Sequence, residues 1–397
     1  MAEVTKEIWV LGAKRTPFGA MSGTLKGITA TDLAVVAAKA AIEQSGVAPG
    51  DFGHVFAGNV HQSSADAAYM ARHVGLKAGL PIETPALTVN RLCGSGFQSV
   101  INGCEQILLG DAKAVLAVGS ENMTQAPHVL RGLRDGARYG APPPLEDSLQ
   151  AALTDAYVGA PMGITAENLG EKYGITREQS DGYALQSQQR WAAADAAGAF
   201  ADELIPVEVK ARKKTVLFEK DEHPRPQSDE STLAKLRPVF KEGGLVTAAN
   251  ASGICDGAGA LVIADGEWAK AQGLKPLAKI RQWAVSAVPP EIMGIGPASA
   301  IRSALERAGL QQSEVDFFDV NEAFAAQFLA VQKELELPND RTNVNGGAIA
   351  LGHPLGASGS RISANLIYQL QRTGKQLAAG AACIGGGQGI AIVFERM

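Results

Sequence analysis

Ala41-Ile-Glu-Gln-Ser-Gly-Val47 and Ala304-Leu-Glu-Arg-Ala-Gly-Leu310 lie over one another without a gap, 304 − 41 = 263 positions apart. The sequence around each follows one order. On the first side, strand-like runs at 8–11, 55–57, 86–89 and 114–118 alternate with helical spacing at 32–44 and 96–109. On the second side, runs at 277–284, 317–320, 377–383 and 390–394 alternate with helical spacing at 298–308, 324–335 and 358–372. Such alternation predicts a mainly parallel sheet with helices on its faces. The chain reads as two copies of one α/β unit. At a similar offset, the Gly-rich turn at Cys93 falls on the one at His353. Each leads into a helix of similar length, then Gly-Asp or Thr-Gly, then an apolar strand.

Residues 120–247, between the copies, have a different texture. They contain Ala141-Pro-Pro-Pro144, a charged stretch at 208–225, and Thr176-Arg-Glu-Gln179, a capping-box signature opening a helix to about residue 197. This reads as a large insertion on the first unit, where substrate-shaping loops commonly sit.

Composition narrows the class. The 397 residues carry 36 Lys+Arg against 41 Asp+Glu, a net charge of −5, with 46% hydrophobic residues. That length gives about two or three folding units with a large core. Ordinary apolar content and low net charge exclude disorder as the main state. The acidic balance argues against a nucleic acid or anionic membrane held by bulk charge. Cys93, Cys104, Cys255 and Cys383 come without a CxxC or His-rich cluster. This argues against a zinc site and a disulfide framework, and for free thiols in a reducing compartment. The N-terminal residues 1–19 read as neither signal nor transit peptide. Residues 377–394, with five glycines, read as strand, turn, strand rather than a bilayer span.

Three Gly-rich segments hold reactive side chains. Asn90-Arg-Leu-Cys-Gly-Ser-Gly96 follows a strand and opens a helix, so the N–H groups at the helix start are expected to favour a Cys93 thiolate. A buried core cysteine is the plain alternative, and Cys104, inside that helix, is read so. His353 sits in Asn343-Val-Asn-Gly-Gly-Ala-Ile-Ala-Leu-Gly-His-Pro-Leu-Gly-Ala-Ser-Gly359, and the repeat predicts that it meets Cys93. Cys383-Ile-Gly-Gly-Gly-Gln-Gly389 ends a strand. It is a plain hairpin, or a turn whose backbone N–H groups face a ligand. A dinucleotide-site reading fails, because the chain ends before the required acidic residue. In Val320-Asn-Glu-Ala-Phe-Ala325, Asn321 either caps a helix or positions a water or carbonyl. Lys210, Arg212, Lys213, Lys214, Lys220 and Arg225 form a solvated face or an anion-binding rim.

Taken in order, the Cys-Gly-Ser-Gly, Asn-Ala-Ser-Gly, Asn-Glu-Ala-Phe, Gly-His-Pro-Leu-Gly and Cys-Ile-Gly-Gly-Gly-Gln-Gly blocks resemble the thiolase family over nearly the whole chain. They are most similar to its 3-ketoacyl-CoA thiolase and acetyl-CoA acetyltransferase group. The resemblance implies an α/β fold of two βαβαβαββ halves in a five-layered α-β-α-β-α arrangement, with an inserted loop domain. The expected boundaries are 1–120 plus 248–273 for the N-terminal half, 121–247 for the insertion and 274–397 for the C-terminal half.

The resemblance also implies roles. Cys93 matches the nucleophile that becomes an acyl thioester, and His353 the base that takes its proton. Cys383 matches the thiol that moves the α-carbon proton, and Asn321 the residue holding an oxyanion-hole water. The N–H groups of Cys93 and Gly385 match a second oxyanion hole. Arg225, Ser228 and Ser252 match CoA contacts, with Met162 and Phe324 nearer the acyl end. The reaction is a reversible Claisen cleavage of 3-ketoacyl-CoA with CoA as a substrate and no metal or redox cofactor. A dedicated acetoacetyl-CoA-forming enzyme, a ketoacyl-synthase-like condensing enzyme and an inactive scaffold are the alternatives. Pro161, where many biosynthetic members have His, leans toward a wider acyl pocket. Cys255 replaces a common Asn or Ala. The resemblance further implies a homodimer or homotetramer, placed in the cytoplasm or, in a eukaryote, the mitochondrial matrix.

Overall fold

The computed structural model describes residues 6–211 and 214–397. Arg212 and Lys213 of the basic run, and residues 1–5 of the stretch read as no leader, lie outside the described residues. The first half supplies strands β1 (Ile8–Arg15), β2 (Phe52–Gly58), β3 (Ala86–Val89), β4 (Ala114–Asn122) and β5 (Cys255–Asp265). Its helices are α1 (Ala30–Ser45), α2 (Met70–Lys77) and α3 (Ser95–Leu109). The insertion contributes α4 (Met162–Tyr173) and α5 (Arg177–Ala196). The second half holds β6 (Ala278–Ala287), α6 (Gly296–Ala308), β7 (Phe317–Val320), α7 (Ala325–Leu335), α8 (Ser358–Thr373), β8 (Leu377–Ile384) and β9 (Gln388–Arg396).

The repeat seen in the sequence is real in space. Helices α1 and α6 both stop on a left-handed glycine, Gly46 at φ 68° and Gly309 at φ 67°. A Cβ disfavours that conformation, which makes glycine the natural stop. These are the two glycines that the 263-residue offset superposes.

Strand order along the sheet is β7-β8-β9-β6-β1-β5-β4-β2-β3. Pairs β2–β3, β2–β4 and β7–β8 are parallel. The other five along this path are antiparallel. The expected mainly parallel sheet is therefore corrected to a mixed one. The reason is local: β8 and β9 are joined by the tight turn 385–387 and must run antiparallel, and β5 returns to β4 in the same sense. The sequence reading also assigned no element to 255–265, although β5 is a central strand. Four strands of the second half answer four of the five in the first, and a lone parallel bridge of Phe318 with Thr342 stands where β2–β3 pair in the first half.

Side-chain alternation sorts the layers. In β4, Ala114, Leu116 and Val118 face α1, while Val115 and Ala117 face inward. In β9, Ile390, Ile392 and Phe394 face inward, while Ala391 and Val393 face α6 and α7. Between the two inner faces lie α3, through Phe97, Val100 and Ile101, and α8, through Ile362, Leu366 and Ile367. The result is five layers, helix–sheet–helix–sheet–helix. Each of these fully buried large side chains contributes about 1.5–3 kcal/mol, so the central helices are held chiefly by burial.

The insertion is tied back to β1 by a buried ion cluster. Arg15 Nε donates to Glu203 Oε1 at 2.6 Å, and Nη1 and Nη2 donate to Asp221 at 2.7 and 3.0 Å. All three side chains are buried, and the two carboxylates hold the guanidinium charged against desolvation. Removing one partner of such a cluster typically costs about 3–5 kcal/mol. The capping box that opens α5 forms as the sequence predicts, with Thr176 and Gln179 exchanging hydrogen bonds.

Candidate active site

Cys93 occupies a short 3-10 turn, Leu92–Gly94, immediately before α3. Asn90 Oδ1 accepts from Leu92 N at 2.9 Å, and Ser95 Oγ accepts from Arg91 N at 2.9 Å. These bonds hold Leu92 at φ 46°, a conformation that is costly for a branched residue and that concentrates at functional sites. Gly96 is needed here: a Cβ would stand 2.7 Å from Gly356 O of the second half. The two halves meet backbone to backbone at this point.

His353 lies in the loop between the short helix Ala348–Leu351 and α8. Its N–H donates to Gly253 O at 2.8 Å. Its Nδ1 is 2.6 Å from Ser358 Oγ, and that hydroxyl donates to Pro354 O at 3.1 Å. The hydroxyl hydrogen being engaged, the network assigns the ring hydrogen to Nδ1 and a lone pair to Nε2. Asn321 Nδ2 stands 3.3 Å from that Nε2. Helix α7 is capped at Phe324, without a side-chain cap. Of the two readings of Asn321, the helix cap is thus set aside. Glu322 braces the loop from behind, accepting from Tyr183 Oη (2.6 Å), Ser187 Oγ (2.7 Å), Asn343 Nδ2 (3.1 Å) and Ile349 N (3.0 Å). Cys255 is the seat of the same loop. A Cβ on Gly352, at φ 96°, would collide with the Cys255 sulfur.

Cys383 is the next-to-last residue of β8, and the 385–387 turn brings Gly385 over Cys93. The N–H groups of Gly385 and of Cys93 itself both point at the Cys93 sulfur. Cys383 is fully buried beside Met293 and Ala323, close enough to Cys93 that charge on one sulfur pushes the other's pKa up. Burial decides the ionisation of the group. It pushes the Cys93 thiol up to about 11, outweighing the two N–H groups that pull it down. The expected thiolate is therefore corrected to a neutral thiol. Burial also holds His353 down to about 3. The resting pair is neutral thiol and neutral imidazole.

A single cavity of about 70 Å³ is lined by Cys93, His353, Gly385, Met162, Phe324 and Ser252. Its remaining wall comes from Leu92, Ala152, Leu153, Met293, Ala323 and Leu355. Sequence reasoning missed these apolar residues. Leu355 and Ala323 fall inside quoted motifs, whereas Leu153 and Met293 carry no signal in the sequence. Arg225 and Ser228 are elsewhere, in a pocket of about 230 Å³ with His223 and Gln188. Ala248 and Ala249 wall that pocket and Ser252 the cavity, so one short segment borders both. Arg225 is exposed, and its Nη1 donates to the carbonyls of Glu222, His223 and Pro224.

The thiolase N-terminal domain model matches residues 8–267, and the thiolase C-terminal domain model matches 274–396. The chain belongs to the thiolase family. It is 56% identical to a human protein named mitochondrial 3-ketoacyl-CoA thiolase, over 98% of each chain. It is 48% identical to an acetyl-CoA acetyltransferase of Chromobacterium violaceum, over 98% of this chain and 100% of that one. A crystal structure of the human mitochondrial 3-ketoacyl-CoA thiolase in complex with CoA superposes with a TM-score of 0.97 at 55% identity, covering 100% and 99% of the two chains. This thiolase thus has the two-unit fold that its sequence repeat implies, in the five-layered arrangement that the resemblance implies.

Proposed function

We propose that this thiolase cleaves a 3-ketoacyl-CoA with CoA, releasing acetyl-CoA and a shortened acyl-CoA, and runs the reverse condensation through an acyl thioester on Cys93. The observation that carries this reading is the convergence of Cys93, His353 and Gly385 on one cavity, with the Cys383 sulfur behind it. In cleavage, His353 Nε2 takes the Cys93 proton as the sulfur adds to the 3-keto carbon. The carbonyl electron pair moves onto oxygen, which the Cys93 and Gly385 N–H groups receive. That pair then collapses back, the bond between C2 and C3 breaks, and its electrons become the enolate of acetyl-CoA. Cys383 protonates C2, and Asn321, with a water beside His353, holds the enolate oxygen. Incoming CoA then gives its thiol proton to the Cys383 thiolate and its sulfur takes the acyl group, and the departing Cys93 sulfur recovers the proton held on His353.

Two centres of developing charge call for two sets of donors, each donor worth roughly 2.7–4 kcal/mol. A neutral thiol–imidazole pair suits this role, because charge appears only as the substrate carbon is attacked. Cys383 separates this reading from a decarboxylating condensing enzyme, which makes its carbanion without an α-proton acid or base.

Arg225, Ser228 and Ser252 are read as the CoA contacts, and the 121–247 insertion as the domain that presents them between the 1–120 plus 248–273 and 274–397 halves. Met162 and Phe324, with Leu153, Met293 and Leu355, are read as the acyl wall, serving β-oxidation. The apolar lining supports chains beyond acetoacetyl-CoA. The cavity's small volume favours a second reading, a dedicated acetoacetyl-CoA-forming enzyme, and the Chromobacterium violaceum relative carries the name acetyl-CoA acetyltransferase. Cleavage rates across C4 to C12 3-ketoacyl-CoA decide between them: a flat or rising profile supports the first, a collapse beyond C4 the second. A homodimer or homotetramer is carried forward, and four free cysteines support a reducing compartment, cytoplasmic or mitochondrial. Among the described residues no helix is long and apolar enough to cross a membrane.

A further inference from the structure

Glu121, at the end of β4, is fully buried. Its carboxylate is answered by four N–H donors. Oε1 accepts from Asn59 Nδ2 and His61 N, each at 3.0 Å. Oε2 accepts from Val60 N and Gly356 N, also at 3.0 Å each. The first three donors belong to the loop after β2, in the half that carries Cys93. The fourth lies three residues beyond His353, in the other half.

Gly356 is pressed into this seam. A Cβ there would stand 2.5 Å from Ser120 O, 2.8 Å from Gly58 O and 3.1 Å from Glu121 Oε2. Leu355, next to it, packs with Val60 and Cys93 and lines the active cavity. One carboxylate therefore spans the junction of the two halves at the place where their reactive loops meet.

We propose that Glu121 is a positioning residue for the thiolase reaction: its carboxylate pins the His353 loop onto the Cys93 half and so aligns imidazole with thiol. The inference rests on the reading that those two side chains react together. Only the carboxylate can accept from all four donors. A protonated acid turns one oxygen into a donor and sets it against an N–H.

Burial raises this carboxyl to about 7. Asp256 on β5 pushes in the same direction, the Cys93 thiol feels the carboxylate's charge, and His61, whose backbone N–H it accepts, is the titratable residue in direct contact with it. Pinning accordingly strengthens as pH rises through neutrality.

The test compares wild type, Glu121→Gln and Asn59→Ala in acetoacetyl-CoA cleavage, reading kcat and KM separately between pH 6 and 9. Wild type is expected to show a kcat limb rising near pH 7. Glu121→Gln is expected to lose about 10–100-fold in kcat at pH 8 and to lose that limb, with KM for CoA nearly unchanged. Asn59→Ala removes one donor, so the limb is expected to move to higher pH. A Glu121→Gln enzyme with wild-type kcat, or with the limb intact, overturns the proposal. If that variant does not fold, an Asn59→Ala limb at the wild-type position overturns it and a shifted one supports it. An inactive wild type sinks the parent reading, whereas an active wild type with indifferent variants sinks only this one.

Discussion

Nδ2 of Asn321 stands 3.3 Å from Nε2 of His353, while Nδ1 of the same ring is 2.6 Å from the Ser358 hydroxyl. The ring is held at both nitrogens, and the amide reaches it from a different strand–helix junction. Asn321 Oδ1 is buried without a hydrogen-bonding partner among the described residues, the condition under which an amide can hold an ordered water.

Asn321→Ala removes this arm without touching the thiols. We expect kcat for acetoacetyl-CoA cleavage to fall about 10²–10³-fold, the usual loss for an oxyanion-hole donor, with the melting temperature little changed. Steady-state kinetics beside a thermal melt checks this. A loss of less than about twofold would exclude the amide from the oxyanion site.

Cys93 should alkylate as a thiol with a high pKa. Burial pushes it up to about 11, so the thiolate fraction grows about tenfold per pH unit across neutral and moderately alkaline pH. The rate of iodoacetamide labelling, read by peptide mass, should follow that slope without levelling. A plateau near pH 8 would show that the helix-start N–H groups win after all.

His353 should make the fold sensitive to acid. Its folded pKa is lowered to about 3, below the ordinary value of 6.5. Between those values the unfolded chain binds a proton that the native imidazole refuses. Its contribution is fully present above about 6.5 and is lost as pH falls toward 3. Subtracting the denaturation profile of His353→Gln from that of wild type should isolate this slope; parallel profiles would contradict it.

Gly309→Ala should cost about 1–2 kcal/mol, the cost of placing a Cβ in the left-handed region. Nothing lies within 4 Å of the new carbon, so the cost is purely one of backbone conformation. Gly46→Ala should lose at least as much, because its Cβ also meets Leu274 at 3.3 Å. Urea unfolding of both variants reads the difference, and an unchanged Gly309→Ala would refute the shared-cap account.

The architecture was legible in the sequence because the repeat ties local pattern to global position. One ungapped match at Gly46 and Gly309 foretold two units, and Cys93 over His353 foretold which loops converge. Strand β5 escaped because Cys255–Asp265 follows the long insertion, and nothing near it in sequence shows that it returns between β1 and β4. The thiol's ionisation escaped for a different reason. A helix start is visible in a string of letters, but the burial that outweighs it is not. Leu153 and Met293 are ordinary apolar residues whose place on the cavity wall depends wholly on packing. Glu121 likewise looks like one more acid until Val60, His61 and Gly356 surround it.

The central claim is that Cys93 carries the acyl group and Cys383 the α-proton, and labelling with acetyl-CoA in the absence of an acceptor tests it most directly. Wild type should yield an acetylated Cys93 peptide by mass spectrometry. Cys383→Ser should still acetylate at Cys93 while losing nearly all acetoacetyl-CoA cleavage, and Cys93→Ala should do neither. An unlabelled Cys93 in an enzyme that cleaves acetoacetyl-CoA, or a Cys93→Ala variant that keeps turning over, would contradict the account.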